Sequence, residues 1–193
     1  MSQLTRSTPD GFAYRDLNKN GQLDPYEDSR LPIETRIDDL LGQMTLAEKA
    51  GLMFAAFAAF PGMPLDPAGD LRQTLAGDMV TRLLMNQFNY PNISDTRTAA
   101  AWTNAMQTLA ENTRLGIPLT FVSDPRHAFS KSSANMAVAM DAGGFSKWPE
   151  PIGLAAIGDA DTAREFGDIA RQEYVAIGIR VAYHPMADLA TEP

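Results

Sequence analysis

The sequence predicts an α/β fold in which parallel strands are joined by right-handed helical crossovers. Amphipathic helix patterns alternate with short apolar strand runs, and no fixed-period repeat or low-complexity tract interrupts them. Of the 193 residues, 45% are hydrophobic and 21% charged, enough to bury a sizeable core. A closed eight-fold α/β barrel takes about 250 residues. A chain of this length therefore supplies roughly the first half of such a barrel, or else a small open α/β domain.

The first helix is expected from Pro32, a favourable first-turn residue, with Ile33, Ile37, Leu40, Leu41 and Met44 on one face. Thr45-Leu46-Ala47-Glu48 reads as a capping box, so MTLAEKAGLMF opens a second helix that leads into an apolar strand. Ser94 or Asp95 caps the next helix, whose buried face is Ala99, Trp102, Met106 and Leu109. It is expected to end near Arg114, with Gly116 just beyond. A strand over Ile117 to Val122 follows. The last unit starts at Asp159 or Asp161, carries Phe166, Ile169, Ala170, Tyr174 and Ile177 on one face, and closes at Gly178. Ile179 to Tyr183 then form a strand.

Residues 1–30 form a separate N-terminal segment with an acidic loop. Asp16-Leu17-Asn18-Lys19-Asn20-Gly21-Gln22-Leu23-Asp24-Pro25-Tyr26-Glu27 fits the twelve-position EF-hand pattern. Calcium needs six to eight oxygens on a tightly curved loop. Asp16, Asn18, Asn20, Asp24 and Glu27 supply side-chain oxygens, Gln22 its carbonyl, and Gly21 permits the turn. A structural calcium ion is the expectation. The competing reading is an Asn/Asp/Gly-rich turn held by side-chain to backbone hydrogen bonds. The preceding Thr8 to Arg15 contains Pro9 and Gly11 and makes a poor entering helix, and the loop has no second copy to pair with.

Charge and composition narrow the partners. Sixteen basic against twenty-four acidic residues give a net charge of −8, which disfavours nucleic acid and anionic membrane surfaces. The longest apolar run, Ala50 to Phe60, is too short to span a bilayer and is broken by Pro61-Gly62. The chain has no cysteine, so it offers no disulfide, thiolate nucleophile or zinc-thiolate site. G-x-G-x-x-G, P-loop and G-x-S-x-G motifs are all missing.

Four stretches carry a resemblance. They are RIDDLLGQMTLAEKAGLM (36–53), TRLGIPLTFVSDPRHAF (113–129), WPEPIGLAAIGD (148–159) and EYVAIGIRVAYHPMADLATEP (173–193). In this order and spacing they resemble the start of the glycoside hydrolase family 3 barrel, and the acidic prelude is similar to one branch of β-glucosidase-like members.

The resemblance implies that residues 31–193 are the N-terminal part of a catalytic (β/α)8 barrel, incomplete in this chain. It implies a retaining, exo-acting β-glucosidase or β-xylosidase that releases terminal β-D-glycosyl residues. Two carboxylates about 5–5.5 Å apart would do the chemistry. Both lie beyond this chain, as does the R-W-G-R motif expected after Pro193, so no catalytic residue is expected here.

The partners implied are a β-linked oligosaccharide or glucoside and the remainder of the same enzyme. A periplasmic or secreted setting is expected over a cytoplasmic one. Alone, the chain is expected to be inactive.

The resemblance carries over one sugar-holding residue, Asp124, which would accept hydrogen bonds from glycone hydroxyls; Arg126 and His127, next to it in sequence, are further candidates for substrate contact. A carboxylate just past a strand end also stands on the face where such barrels bind substrate. Asp124 as a turn former before Pro125 and His127 as a hydrogen-bonded structural residue are the plainer alternatives. Ala128 stands where the family often has Gly. Trp148 between Lys147 and Pro149 is either a stacking platform or a packed loop anchor. His184 reads as structural and Asp188 as a support for the site. A different function class, resting on the acidic loop alone, is a calcium-stabilised, non-catalytic binding module.

Overall fold

The computed structural model describes residues 4–57, 69–70, 75–81, 87–89, 95–123, 127–128 and 142–183. An antiparallel hairpin comes first, β1 (Thr5–Ser7) with β2 (Ala13–Arg15), in the register Arg6 to Tyr14. The acidic loop follows and ends in a single 3-10 turn, Pro25–Glu27.

Helix α1 (Ile33–Gln43) forms where its pattern predicts, with Pro32 at the N-cap rather than in the first turn. Met44 closes it and is buried, but no residue of α1 itself is buried; Ile33 is 68% and Ile37 43% exposed. The apolar stripe forms, yet it finds little cover among the described residues. Helix α2 (Leu46–Gly51) begins at the expected capping box. Thr45 Oγ1 accepts from Glu48 N at 3.2 Å, and Glu48 Oε2 accepts from Thr45 N at 2.8 Å.

The α/β part then runs through β3 (Ala55–Phe57), α3 (Leu75–Thr81), β4 (Gln87–Asn89), α4 (Thr96–Glu111) and β5 (Thr120–Ser123). It continues through α5 (Pro151–Ile157), α6 (Ala160–Ile177) and β6 (Ile179–Ala182). These strands form one sheet in the order β3-β4-β5-β6, and every neighbouring pair is parallel.

The bounds of α4 and β5 differ from the sequence expectation, each for a local reason. Helix α4, capped by Asp95, ends at Glu111 rather than Arg114. Past Glu111 the chain tightens, with Asn112 N donating to Leu109 O and Thr113 N to Ala110 O. The next strand starts at Thr120 rather than Ile117, because Pro118 lacks an N–H and Leu119 is held from the side. The Gln107 side-chain amide of α4 bonds both Leu119 N (2.9 Å) and Leu119 O (2.8 Å).

Strand pleating puts Ala56, Phe88, Phe121 and Ile179 on one face, all buried. They join Val80 of α3, Trp102 and Met106 of α4, and Tyr174 and Ile177 of α6 in one core. Trp102 meets Phe121 edge-on at 5.8 Å. Burying a side chain of this size stabilises by about 1.5–3 kcal/mol. Gly178 lets α6 end in a left-handed residue (φ +93) while pressing against α4. On the opposite sheet face Ala55, Gln87, Thr120 and Val181 are not buried, while Val122, paired with Val181, is 1% exposed. The helices of the core thus sit on one face of a sheet whose strands follow sequence order, which is single winding.

Candidate functional site

Strand β5 delivers the chain to the first candidate region. Its final residue, Ser123, is fully buried, and its hydroxyl has no hydrogen-bond partner. Asp124, Pro125 and Arg126, next in the chain, lie outside the described residues, as do His184 and Asp188.

His127 is 3% exposed. Its Nε2 is 2.9 Å from Glu173 Oε2 of α6, and its ring stacks on Phe145 at 4.9 Å and packs near Tyr174 at 5.1 Å. Glu173 also accepts from Ser146 N at 3.1 Å and from Ser146 Oγ at 2.9 Å. Trp148 joins the group, donating Nε1 to Ser146 Oγ at 3.0 Å and its backbone N–H to His127 O at 2.6 Å. Its ring packs on Phe166 at 5.4 Å. Both aromatic groups are thereby fixed from within the protein, so the geometry favours an anchor over a sugar contact for each.

The acidic loop is the second candidate region, and its six expected ligand residues are all described. Asp16 is 1% exposed. Its Oδ2 accepts from Arg6 Nε at 2.5 Å and from Gly21 N at 3.0 Å, while its Oδ1 is buried without a partner. Asn18 and Asn20 turn their Nδ2 groups to Asp24 Oδ2 at 2.6 and 2.7 Å. Their carbonyl oxygens accept from Asn20 N and Gln22 N. Glu27 accepts from Leu17 N at 2.5 Å and from Asp24 N at 3.3 Å. Burial raises the Glu27 pKa against the pull of these N–H groups. Gly21 takes the positive φ of 80° that the turn requires.

As folded, the loop is thus closed by its own hydrogen bonds. Among the described residues no three Asp, Glu or His side chains converge as ready metal ligands. The donor set is nonetheless all oxygen and includes one orphaned buried carboxylate oxygen, which suits a hard cation.

The loop docks just ahead of the start of β5, at the opposite end of the strand from Ser123. Tyr26 Oη donates to Leu115 O at 3.2 Å, Lys19 Nζ reaches Thr113 O, and Arg15 pairs with Glu111. These partners lie where α4 ends and the chain enters β5, so the loop braces the N-terminal end of the strand. In barrels that end serves stability, and the C-terminal end serves chemistry. A Cβ on Gly116 would stand 2.8 Å from Leu17 O, which shows how closely the loop is seated.

A model of the glycosyl hydrolase family 3 N terminal domain matches residues 35–193. The chain belongs to this family. The family 3 chain is 46% identical over 188 residues to a periplasmic beta-glucosidase/beta-xylosidase of Dickeya chrysanthemi, covering 96% of this chain and 28% of that protein. It is 40% identical over 186 residues to a probable beta-glucosidase C of Aspergillus oryzae, covering 96% and 28%. Beta-glucosidase C of Emericella nidulans is 40% identical over 179 residues, covering 92% and 28%. The family 3 chain thus spans 28% of the length of these relatives. The alternative of a stand-alone binding module finds no support in a family match of this extent.

Sequence reasoning missed Glu173 as the centre of the network that joins His127 and Ser146. A signal was present: Glu173 is seven residues after Phe166 and four before Ile177, so a carboxylate falls on the apolar stripe of α6. Such a group needs a partner.

Proposed function

We propose that this chain is the first half of the substrate-binding barrel of a β-glucosidase or β-xylosidase, and that the polypeptide completing the barrel supplies both catalytic carboxylates. The single observation that carries the reading is the sheet. Among the described residues, four parallel strands in sequence order have their core-forming helices on one face. Parallel sheets are covered on both faces in finished proteins, so a further set of strands is called for.

Two more features support it. Large apolar side chains stay exposed, among them Leu46 (83%), Met53 (83%) and Ile152 (82%). A groove of about 270 Å³ runs between α6 and the edge strand β6, lined by Phe166, Ala170, Tyr174, Val175 and Val181. In this reading the next strand and helix of the barrel fill that groove.

Asp124, directly after Ser123, is the proposed glycone ligand, its carboxylate accepting hydrogen bonds from sugar hydroxyls. Arg126 lies beside it in sequence as a further contact. His127, bonded to Glu173, serves in this reading as an anchor within the protein instead of touching sugar. The reaction proposed is retaining hydrolysis of terminal β-D-glycosyl residues, with a covalent glycosyl intermediate formed on a carboxylate elsewhere in the enzyme. The bacterial relative is named periplasmic, and no helix of the described residues is long and apolar enough to cross a membrane. A periplasmic or secreted setting is therefore proposed.

The test is mechanism-based labelling. Full-length enzyme treated with an activated 2-deoxy-2-fluoro-β-D-glucoside should gain one covalent sugar, and peptide mapping should place it outside residues 1–193. A label within these residues, or none with an enzyme that cleaves the parent glucoside, would overturn the reading.

A further inference from the structure

We infer that residues 16–27 bind one calcium ion, and that the ion clasps the N-terminal segment to the entry end of β5. The inference stands apart from the proposed hydrolysis, since the loop docks at the opposite end of β5 from Ser123, which precedes the proposed glycone ligand.

The starting point is Asp16. A carboxylate oxygen that is buried and without a donor costs free energy unless a cation or proton reaches it. Gly21 N–H, at the loop's turn, holds the other oxygen, so the carboxylate lies inside the loop. Arg6 also bonds that same Oδ2 and leaves Oδ1 open.

Asp24 gives the second indication, because two amide N–H groups, from Asn18 and Asn20, converge on its single Oδ2. There they satisfy a negative charge as a cation would. An amide carries its donor and acceptor on one short arm. A half-turn of the two carboxamides withdraws the nitrogens and presents both Oδ1 atoms to the space beside Asp16 and Asp24. Glu27 is already held at the closing position by Leu17 N and Asp24 N.

The all-oxygen set with three carboxylates and a flexible seven-oxygen geometry selects calcium over the smaller, strictly octahedral magnesium. Reorganising the closed loop lowers the affinity, which places the dissociation constant at about 10⁻⁵–10⁻³ M, in the range of sites outside the cytosol. Once bound, the ion would stiffen the segment that carries Lys19 to Thr113 and Tyr26 to Leu115.

The experiment uses full-length protein stripped with a chelator and titrated with calcium chloride or magnesium chloride while thermal unfolding is followed. Terbium emission sensitised through tyrosine gives a second readout, since Tyr26 lies in the loop. Calcium should raise the melting midpoint saturably, on the order of 5 °C at a hundredfold excess over the dissociation constant, and magnesium should do far less. Asp16→Asn should abolish both responses. Asn20 is exposed, so Asn20→Ala should fold normally and bind about tenfold more weakly; if Asp16→Asn does not fold, Asn20→Ala decides. Identical melting with chelator and with calcium, or unchanged terbium binding in Asn20→Ala, would overturn the inference.

Discussion

Tyr26, in the acidic loop, donates its buried hydroxyl to the backbone carbonyl of Leu115, 89 residues further along the chain, at 3.2 Å. The contact ties the N-terminal segment to the turn that launches β5. Burial, followed by the nearby Glu27 carboxylate, pushes the Tyr26 pKa well above its ordinary value of 10.

Tyr26→Phe should therefore destabilise by about 1 kcal/mol, the worth of one buried hydrogen bond. Because the folded pKa is raised, the hydroxyl's contribution is intact below pH 10 and fades as pH rises through the folded value. Chemical denaturation at neutral and alkaline pH should show the gap between wild type and variant narrowing at high pH.

Glu48 serves both as the N3 partner of the α2 capping box and as the partner of Arg114. Arg114 Nε donates to Glu48 Oε1 at 3.0 Å, and its Nη2 donates to Glu48 Oε2 and to Gln43 O. The Arg114 hydrogen bonds, foremost, hold the Glu48 carboxyl below its ordinary value of 4.5. A lowered folded pKa means that the stabilisation is present above 4.5 and disappears as pH falls through the folded value. Arg114 is half exposed, so solvent screening limits the loss in Glu48→Gln to about 1 kcal/mol. That loss should be measurable at neutral pH and vanish in acid.

Gly178 closes α6 at φ +93, where a Cβ would stand 2.5 Å from Thr103 Cγ2 of α4. Gly178→Ala should cost roughly 2–3 kcal/mol, part from the left-handed backbone and part from the overlap. In a Thr103→Ala background the same change should cost only about 1 kcal/mol, the backbone part alone. Urea denaturation of the four proteins measures both.

The helices that pack on the sheet were legible because their signals are local. Thr45, Asp95 and Asp159 cap where the sequence places them, and Ala99, Trp102, Met106 and Leu109 are all buried. Strand β4 was not legible: Gln87–Asn89 is three residues with no alternation, paired only through its parallel neighbours. The hairpin β1–β2 and helix α5 were missed for the same shortness. The stripe on α1 was read correctly as a pattern, but its exposure depends on what else packs there, which no local pattern encodes. At the candidate site, the acidic loop announced itself by residue spacing. The His127–Glu173 pair joins residues 46 apart, and only the fold brings them together.

Glu173 gathers His127, Ser146 and, through Ser146, Trp148. Glu173→Leu should cost roughly 2–3 kcal/mol, because it strips hydrogen bonds from buried groups. Glu173→Gln retains one acceptor oxygen and should cost about 1 kcal/mol. Thermal unfolding should rank them in that order, and equal melting for both would show that the carboxylate position is unimportant.

In the reading proposed above, Asp124, the residue after Ser123 in the sequence, binds the glycone. Steady-state kinetics of full-length Asp124→Ala on an aryl β-D-glucoside and an aryl β-D-xyloside tests this directly. Loss of a charge-assisted contact to sugar hydroxyls should lower kcat/KM by about 10²–10³-fold with the melting temperature unchanged. A variant within about twofold of wild type on both substrates, a difference worth only about 0.4 kcal/mol, would contradict the account.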